Sequence, residues 1–325
     1  MKILFWGGGK GSSGPANVSN SYRAALTESF VLVKSSHKYG ELVEAVWKLL
    51  FCECVVISGV SRKGALLVGF ARLFGKRSVY IMHGCLEYEC EVNKTTCNWQ
   101  GLAQEQYLLK YSTLILAVSK KYRFWVQTRY PQYADKTEFL YNGIEKVLLP
   151  EGAVFEKRAN SVIAAGGNRI QKANNVLATA IDSMHGAVRL EIYGDLDGPV
   201  YQGEYAKYMG PVCNEQFYQK LAQAQLFVLN SIVESFSVAT IEALMCGCSV
   251  LVSESAGVTD LLTLEEMDVI HDPMDKEEIC RKIKYLLEHP NNERILASLD
   301  LEEYSYPRQT EKLEQICRDL IQKTV

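Results

Sequence analysis

Almost from end to end the chain alternates short β-type apolar runs with segments that read as helix, and this alternation limits the fold more than any other feature. In the first half the runs are ILFW, FVLV, CVVISG, SVYIMHG, TLILAVS and TEFLYNG, separated by helical stretches such as ELVEAVWKLLF, KGALLVGFARLF and LAQEQYLLKY. A second series begins at SVIAAGG and continues through VRLEIYG, LFVLNS, SVLVSES and DVIH. Strand followed by helix at each step predicts α/β architecture, with parallel sheets covered on both faces. In such sheets the helices open at the carboxyl edge, and ligands bind there.

The 325 residues suit two domains of roughly 150 each. The polar stretch LPEGAVFEKRAN reads as a linker, so we expect a first domain at 1–148, a second at 149–306, and a closing amphipathic helix at 307–325. A hydrophobic content of 48% with 22% charged residues is that of an ordinary globular protein. No apolar run approaches the roughly 18 residues of a membrane span. MKILFWGGG enters a glycine loop directly and lacks the apolar core of a secretion signal. A cytoplasmic location follows as the expectation.

Ten cysteines are scattered, many within apolar segments, and read as reduced, buried thiols. Cys52/Cys54 and Cys246/Cys248 are C-x-C pairs without zinc-site spacing, so no metal is expected. Charge is divided unevenly. Residues 1–150 carry 19 Lys+Arg against 11 Asp+Glu, a balance of +8; the remainder carries 35−19 = 16 against 38−11 = 27, a balance of −11. A basic first half suggests an anionic partner such as a lipid surface or a phosphate-linked acceptor, and no nucleic acid is expected. The segment KKYRFWVQTRY fits either a membrane-surface helix or an amphipathic helix whose aromatics pack on a sheet.

The stretch from Leu226 to Asp260 is where the chemistry is expected. LFVLNS is a strand, Ser235 and Ser237 offer N-caps, IEALMC is helical, Gly247 ends the helix, and SVLVSES is a second strand. Two carboxylates frame the helix: Glu234 just before it and Glu242 about two turns in. A carboxylate that accepts two vicinal hydroxyls is how proteins hold a ribose or a sugar ring. The helix N-terminus between them favours an anion.

Gly9, Gly11 and Gly14 satisfy the G-x-G-x-x-G spacing of a dinucleotide site. A nicotinamide enzyme also needs an acidic residue at the end of the second strand, and FVLVKSSH ends in Lys34, Ser35 and Ser36. Lys10 is followed by Gly11 rather than Ser or Thr, which rules out a P-loop. In the second half AAGGNRIQKANN places Arg169 and Lys172 in one loop after Gly167, where a planar fork and a point charge suit a diphosphate. His83 closes an apolar strand, facing the presumed cleft. The loop after it, LEYECEVNKTTCNWQG, reads as long and irregular and could shape acceptor specificity.

The Glu-x7-Glu pair in ESFSVATIE, followed by EALMCGCSVLVSESAG, resembles the donor-binding core of family-4 retaining glycosyltransferases of the GT-B fold. This sequence carries Ser235 and Ser237 where that family commonly has glycine. The resemblance implies two Rossmann-like doubly wound domains facing a central cleft. It implies that Glu242 holds the donor ribose, that Glu234 lies near the sugar hydroxyls beside Ser235, Phe236 and Ser237, and that Arg169 and Lys172 face the diphosphate. It also implies that His83 contacts the donor sugar, and that Gly8, Gly9 and Gly14 form a loop near the diphosphate and acceptor. Asn142 and Gly143 match the family's turn near the domain junction; Gly194, Asp195 and Gly210 match its loops around the base.

The reaction so implied is transfer of a hexose, without metal or cofactor, from a nucleotide sugar, by default a uridine diphosphate sugar. The acceptor would be a saccharide or lipid-linked saccharide in surface polysaccharide or glycoconjugate synthesis, at or near the inner face of a membrane. A nucleotide-sugar epimerase of the same fold and a non-catalytic nucleotide-sugar-binding protein remain open as alternatives.

Overall fold

The computed structural model describes residues 1–8, 14–35, 37, 40–150, 155–196 and 200–323. It divides into two compact units: Met1–Glu91 with Thr95–Glu145 and Leu301–Val325, and Val92–Lys94 with Lys146–Asp300.

The strands of the first unit are β1 (Ile3–Trp6), β2 (Phe30–Leu32), β3 (Cys54–Ser58), β4 (Arg77–Met82), β5 (Leu114–Ala117) and β6 (Thr137–Phe139). They alternate with α1 (Gly14–Ala24), α2 (Gly40–Leu50), α3 (Arg62–Leu73), α4 (Leu86–Asn93), α5 (Trp99–Tyr111) and α6 (Lys120–Arg129). The sheet order is β2-β1-β3-β4-β5-β6, and every pairing is parallel. The chain leaves β1 for β2 on one side and returns to β3 on the other. A topological switch point therefore lies outside the carboxyl ends of β1 and β3.

The second unit repeats the plan with β7 (Ser161–Ala165), β8 (Arg189–Tyr193), β9 (Ala206–Gly210), β10 (Leu226–Leu229), β11 (Ser249–Ser253) and β12 (Val269–Ile270). Its helices are α7 (Asn174–Asp182), α8 (Asn214–Gln223), α9 (Val238–Met245), α10 (Lys276–Glu288) and α11 (Asn292–Ala297). The order β12-β11-β10-β7-β8-β9 puts its switch point between β7 and β10. The middle strands β3, β5, β10 and β11 are buried at every position, because helices cover both faces. Val162, Leu177, Ile192, Val228, Leu251 and Ile283 form the heart of this unit's core. The two six-stranded parallel sheets with flanking helices are the GT-B architecture expected from the sequence.

The last helix, α12 (Tyr306–Gln322), packs on α1 of the first unit. Tyr306 meets Tyr22 edge to face at 5.2 Å, and Leu313 and Cys317 are fully buried. Glu314 accepts hydrogen bonds from the Thr27 and Ser29 hydroxyls and pairs with Arg318. Burial works against its charge, but the bonds from Ser29, Thr27 and Arg318 outweigh it and hold the carboxyl down to about 2.

Two expectations are corrected here. The segment after His83 is mostly helical, not irregular: α4 covers Leu86–Asn93 and α5 begins at Trp99. The cause is remote in sequence. Glu105, on α5 and itself buried, accepts from the backbone amides of Leu86 and Glu87 at 2.7 and 3.1 Å and so caps α4. The thiols are also not all reduced, because Cys90 and Cys97 form a disulfide across this turn, while the other eight cysteines are free. In α6, Tyr122 and Val126 are buried, Trp125 stacks on Tyr122, and Arg123 and Arg129 pair with Glu138 and Glu91. No helix among the described residues is long and apolar enough to cross a membrane.

Glu314 has a folded-state carboxyl below its unfolded value, so its contribution is present above about pH 4.5 and is lost as pH falls toward 2. Glu314→Gln is expected to lower stability by about 1–2 kcal/mol at pH 7. By urea denaturation the two proteins should converge as the pH approaches 2.

Candidate functional site

The switch point of the second sheet gathers most of the residues singled out in that half. Gly166 and Gly167 follow β7 with φ of +96° and +63°, and Gly194 follows β8 with φ of +125°. A Cβ on Gly167 would stand 1.8 Å from the carbonyl oxygen of Asp195, and one on Gly194 would stand 2.6 Å from the Gly167 nitrogen. The two loops thus cross backbone on backbone, which only glycine allows. The Gly167 amide donates to Tyr193 O, and the Gly194 amide to Gly210 O, which joins the ends of β7, β8 and β9. Asp195 also begins an Asp-x-Asp spacing with Asp197, which lies outside the described residues.

Gly166 serves a second purpose. Its missing side chain leaves room for the stem of Lys172, whose carbons lie 2.8–3.0 Å from where a Cβ would sit. Lys172 reaches across to form an ion pair with Glu234, 62 residues on, and both side chains are largely buried. Arg169, three residues before it, is exposed and forms no ion pair among the described residues. Asn174, buried at the start of α7, ties the glycine loop down by donating to Ala165 O and Gly167 O at 3.1 and 2.8 Å. Asn230, at the end of β10, donates to Ala173 O at 3.1 Å.

Glu234 does not lie at the start of the helix. It forms an isolated parallel bridge with Ala256, the amide of Gly257 donates to its carbonyl at 3.0 Å, and Val258 does the same to Phe236, which is buried. Helix α9 opens only at Val238, so Glu242 stands little more than one turn into it rather than two. The Tyr218 hydroxyl on α8 donates to Glu242 at 2.7 Å.

Ser237 is the N-cap residue, but its hydroxyl does not cap the backbone. Its φ is +86° and its Oγ bonds Thr240 Oγ1 at 3.0 Å. A serine here adopts a backbone conformation that glycine takes without strain. Gly247 follows the helix with φ of +77° and donates to Leu244 O, ending it as expected.

The first sheet's switch point is built from Gly7, Gly8, Ser58 and His83. A Cβ on Gly7 would stand 2.5 Å from Ser58 Cβ, and one on Gly8, at φ +80°, 2.4 Å from Asn20 Oδ1. Gly14 opens α1, and Gly9 lies outside the described residues. His83 follows β4, buried; its Nε2 is 2.8 Å from Ser58 Oγ, which is 2.7 Å from Ser19 Oγ. Burial lowers the imidazole to about 4, so it is neutral at pH 7. Asn142, buried, and Gly143 precede Ile144, which bridges to Ser305. Tyr218, Asn174 and Ser58 went unmarked in the sequence: each acts through a partner far along the chain or through burial, and neither leaves a local spacing.

Two doubly wound units, the second with a lysine–glutamate pair at its switch point, define the class of fold. Residues 159–289, from β7 through α10, match the family described as glycosyl transferases group 1, as the resemblance in the sequence implied. Anabaena HepE, solved in complex with UDP and glucose, aligns with a TM-score of 0.69 at 14% identity, covering 98% of this chain and 100% of that one. Sucrose-phosphate synthase from Thermosynechococcus elongatus gives 0.70 at 14% identity, covering 99% and 100%. The apo form of the lipopolysaccharide outer core galactosyltransferase WaaB gives 0.66 at 13%, covering 100% of each. At these identities the likeness is one of fold. No curated protein sequence matches the chain.

Two measurements check the local physics. Ser237→Gly and Ser237→Ala both remove the hydroxyl, but only glycine relieves the left-handed strain, so the glycine variant should be the more stable by about 1 kcal/mol. For His83, the unfolded imidazole takes a proton near 6.5 and the folded one only near 4, so stability declines as pH falls between those values. Wild type should lose about 3 kcal/mol between pH 7 and pH 4 beyond whatever His83→Gln loses over the same range.

Proposed function

We propose that this chain is a retaining glycosyltransferase of family 4 that moves a hexose from a nucleotide sugar to a saccharide or lipid-linked saccharide acceptor. The observation that carries the reading is the Lys172–Glu234 pair beside the glycine loop, with Glu242 held by Tyr218 a little more than one turn into α9. A cation at the carboxyl edge of the sheet suits the diphosphate of a donor. Lys172 can exchange its carboxylate for phosphate oxygens, with the exposed Arg169 closing on the same group. Glu242 then accepts the ribose hydroxyls, and Glu234 those of the sugar. Ser235, Phe236 and Ser237 line the donor, and Gly194 and Gly210 border the base.

In this reading no protein nucleophile is used. The bond from the anomeric carbon to the phosphate oxygen breaks, the acceptor oxygen bonds that carbon on the same face, and the acceptor proton passes to the departing phosphate oxygen. Catalysis then rests on positioning and on charge stabilisation by Lys172 and Arg169, with no metal or other cofactor. A uridine diphosphate donor is favoured because HepE, of the same fold, was solved with UDP and glucose. The acceptor would belong to surface polysaccharide or glycoconjugate assembly at the cytoplasmic face of a membrane.

The test is thermal shift against a panel of nucleoside diphosphates, paired with turnover of a UDP-sugar. One nucleoside diphosphate at about 100 times its Kd should add roughly 2.7 kcal/mol, and Glu242→Ala should abolish that gain. Lys172→Ala should slow transfer by about 10² to 10³. Stabilisation by a nicotinamide dinucleotide alone would overturn the assignment.

A further inference from the structure

Helix α2 is apolar on two sides. Its inner side, with Ala45 and Leu49, is buried in the first unit. Its outer side carries Val43, Trp47 and Leu50 at i, i+4 and i+7, joined just past the helix end by Phe51. All four are exposed, Val43 to 70% and Phe51 to 66%. A surface helix ordinarily turns polar side chains outward, and one that is apolar all round is covered on both sides.

The neighbouring helix continues the face. On α3, Leu66 and Leu73 are seven residues apart and so share one side, and Leu73 is 76% exposed. The topology sets the two outer sides next to each other. The crossovers β2–α2–β3 and β3–α3–β4 run in the same direction along the sheet, so α2 and α3 cover the same side of it, opposite to α1. The helices pack together, and Lys63 on α3 pairs with Glu41 on α2. Trp47 meets Phe51 edge to face at 5.2 Å, which makes one ridge of the two rings. Scattered exposed apolar residues need no explanation, but six on two adjacent helices mark a surface that meets something apolar.

Charge decides what covers it. Helix α3 carries Arg62, Lys63 and Arg72 and no carboxylate, while α2 carries Lys48 with Glu41 and Glu44, a balance for the pair of 4−2 = +2. Both carboxylates of α2 are met by a lysine, Glu41 by Lys63 and Glu44 by Lys48. The Arg72 guanidinium lies over the Tyr111 ring at 4.7 Å, a contact that leaves its charge in place. A second copy docking through the same face would bring a net positive surface against itself. Tryptophan, phenylalanine and leucine in a cationic surround suit the boundary of an anionic bilayer, where apolar side chains enter below the headgroups and cations meet lipid phosphates.

We propose that the α2–α3 face docks on an anionic phospholipid surface. The inference rests on the first unit alone, and it gives the membrane placement proposed above a defined contact surface. Helix α6, the segment whose sequence suggested a membrane contact, is the lesser candidate: Tyr122 is buried, Trp125 stacks on it, and Phe124 alone of its aromatics is exposed.

The experiment is cosedimentation with phosphatidylglycerol vesicles and with phosphatidylcholine vesicles at about 50 mM salt, where screening is weak. Wild type should be retained by the former, and Trp47→Ser/Phe51→Ser should weaken that retention about tenfold or more. Leu73→Ser lies on the other helix and leaves the Trp47–Phe51 pair intact; it should weaken binding severalfold and guards against misfolding of the double variant. Phe124→Ser should bind as wild type does. So should Glu242→Ala, which alters the proposed donor site, so that failure of the donor reading and failure of the surface show separately. Absence of retention, equal retention by the two kinds of vesicle, unchanged retention in the α2 and α3 variants, or loss in Phe124→Ser instead would overturn the proposal. A dimer in sedimentation velocity that Trp47→Ser/Phe51→Ser disperses, without vesicle binding, would assign the face to a second copy and overturn it equally.

Discussion

The second unit depends on one close contact, the crossing of the loops after β7 and β8 at Gly167 and Gly194. With the Asp195 carbonyl 1.8 Å from where a Cβ of Gly167 would be, no side chain fits, and the crossing sets the path of everything after it. Gly166 can then sit under the Lys172 stem, Asn174 can reach two carbonyls of the loop, and Lys172 is delivered to Glu234. Both charges are largely buried, and such charges need a partner. The structure supplies one in each case, so the pair is held in place.

The first unit answers with a different chemistry at the equivalent place. There a serine–serine–histidine chain, not an ion pair, occupies the switch point, and burial keeps the imidazole neutral. A neutral ring can donate and accept hydrogen bonds without introducing charge.

How much could be read in advance follows the range of the interactions. Strand and helix identity was legible because period-2 and period-3.6 patterns are local. The end of α9 at Gly247 was legible for the same reason. Helix α4 was not, since its cap is the carboxylate of Glu105, about twenty residues downstream and on another helix. The Cys90–Cys97 pair was missed because buried reduced thiols are the sound default for scattered cysteines. Nothing local shows that an α4 turn will bring these two together. The depth of Glu242 in its helix was overestimated because Glu234 and Phe236 are claimed by backbone bonds to Gly257 and Val258, which delay the start of α9.

By itself the sequence determined the alternation, hence the parallel sheets; the glycines on which backbone can close; and the eight-residue separation of Glu234 and Glu242. These are properties of short stretches, set by side-chain periodicity and by the allowed φ of glycine. Only the tertiary structure decided which side of β7 receives β10, and therefore that Lys172 meets Glu234 and Tyr218 meets Glu242. Crossover direction and sheet order are settled by packing both faces of a whole sheet, a constraint that involves every helix at once and is not carried by any one segment.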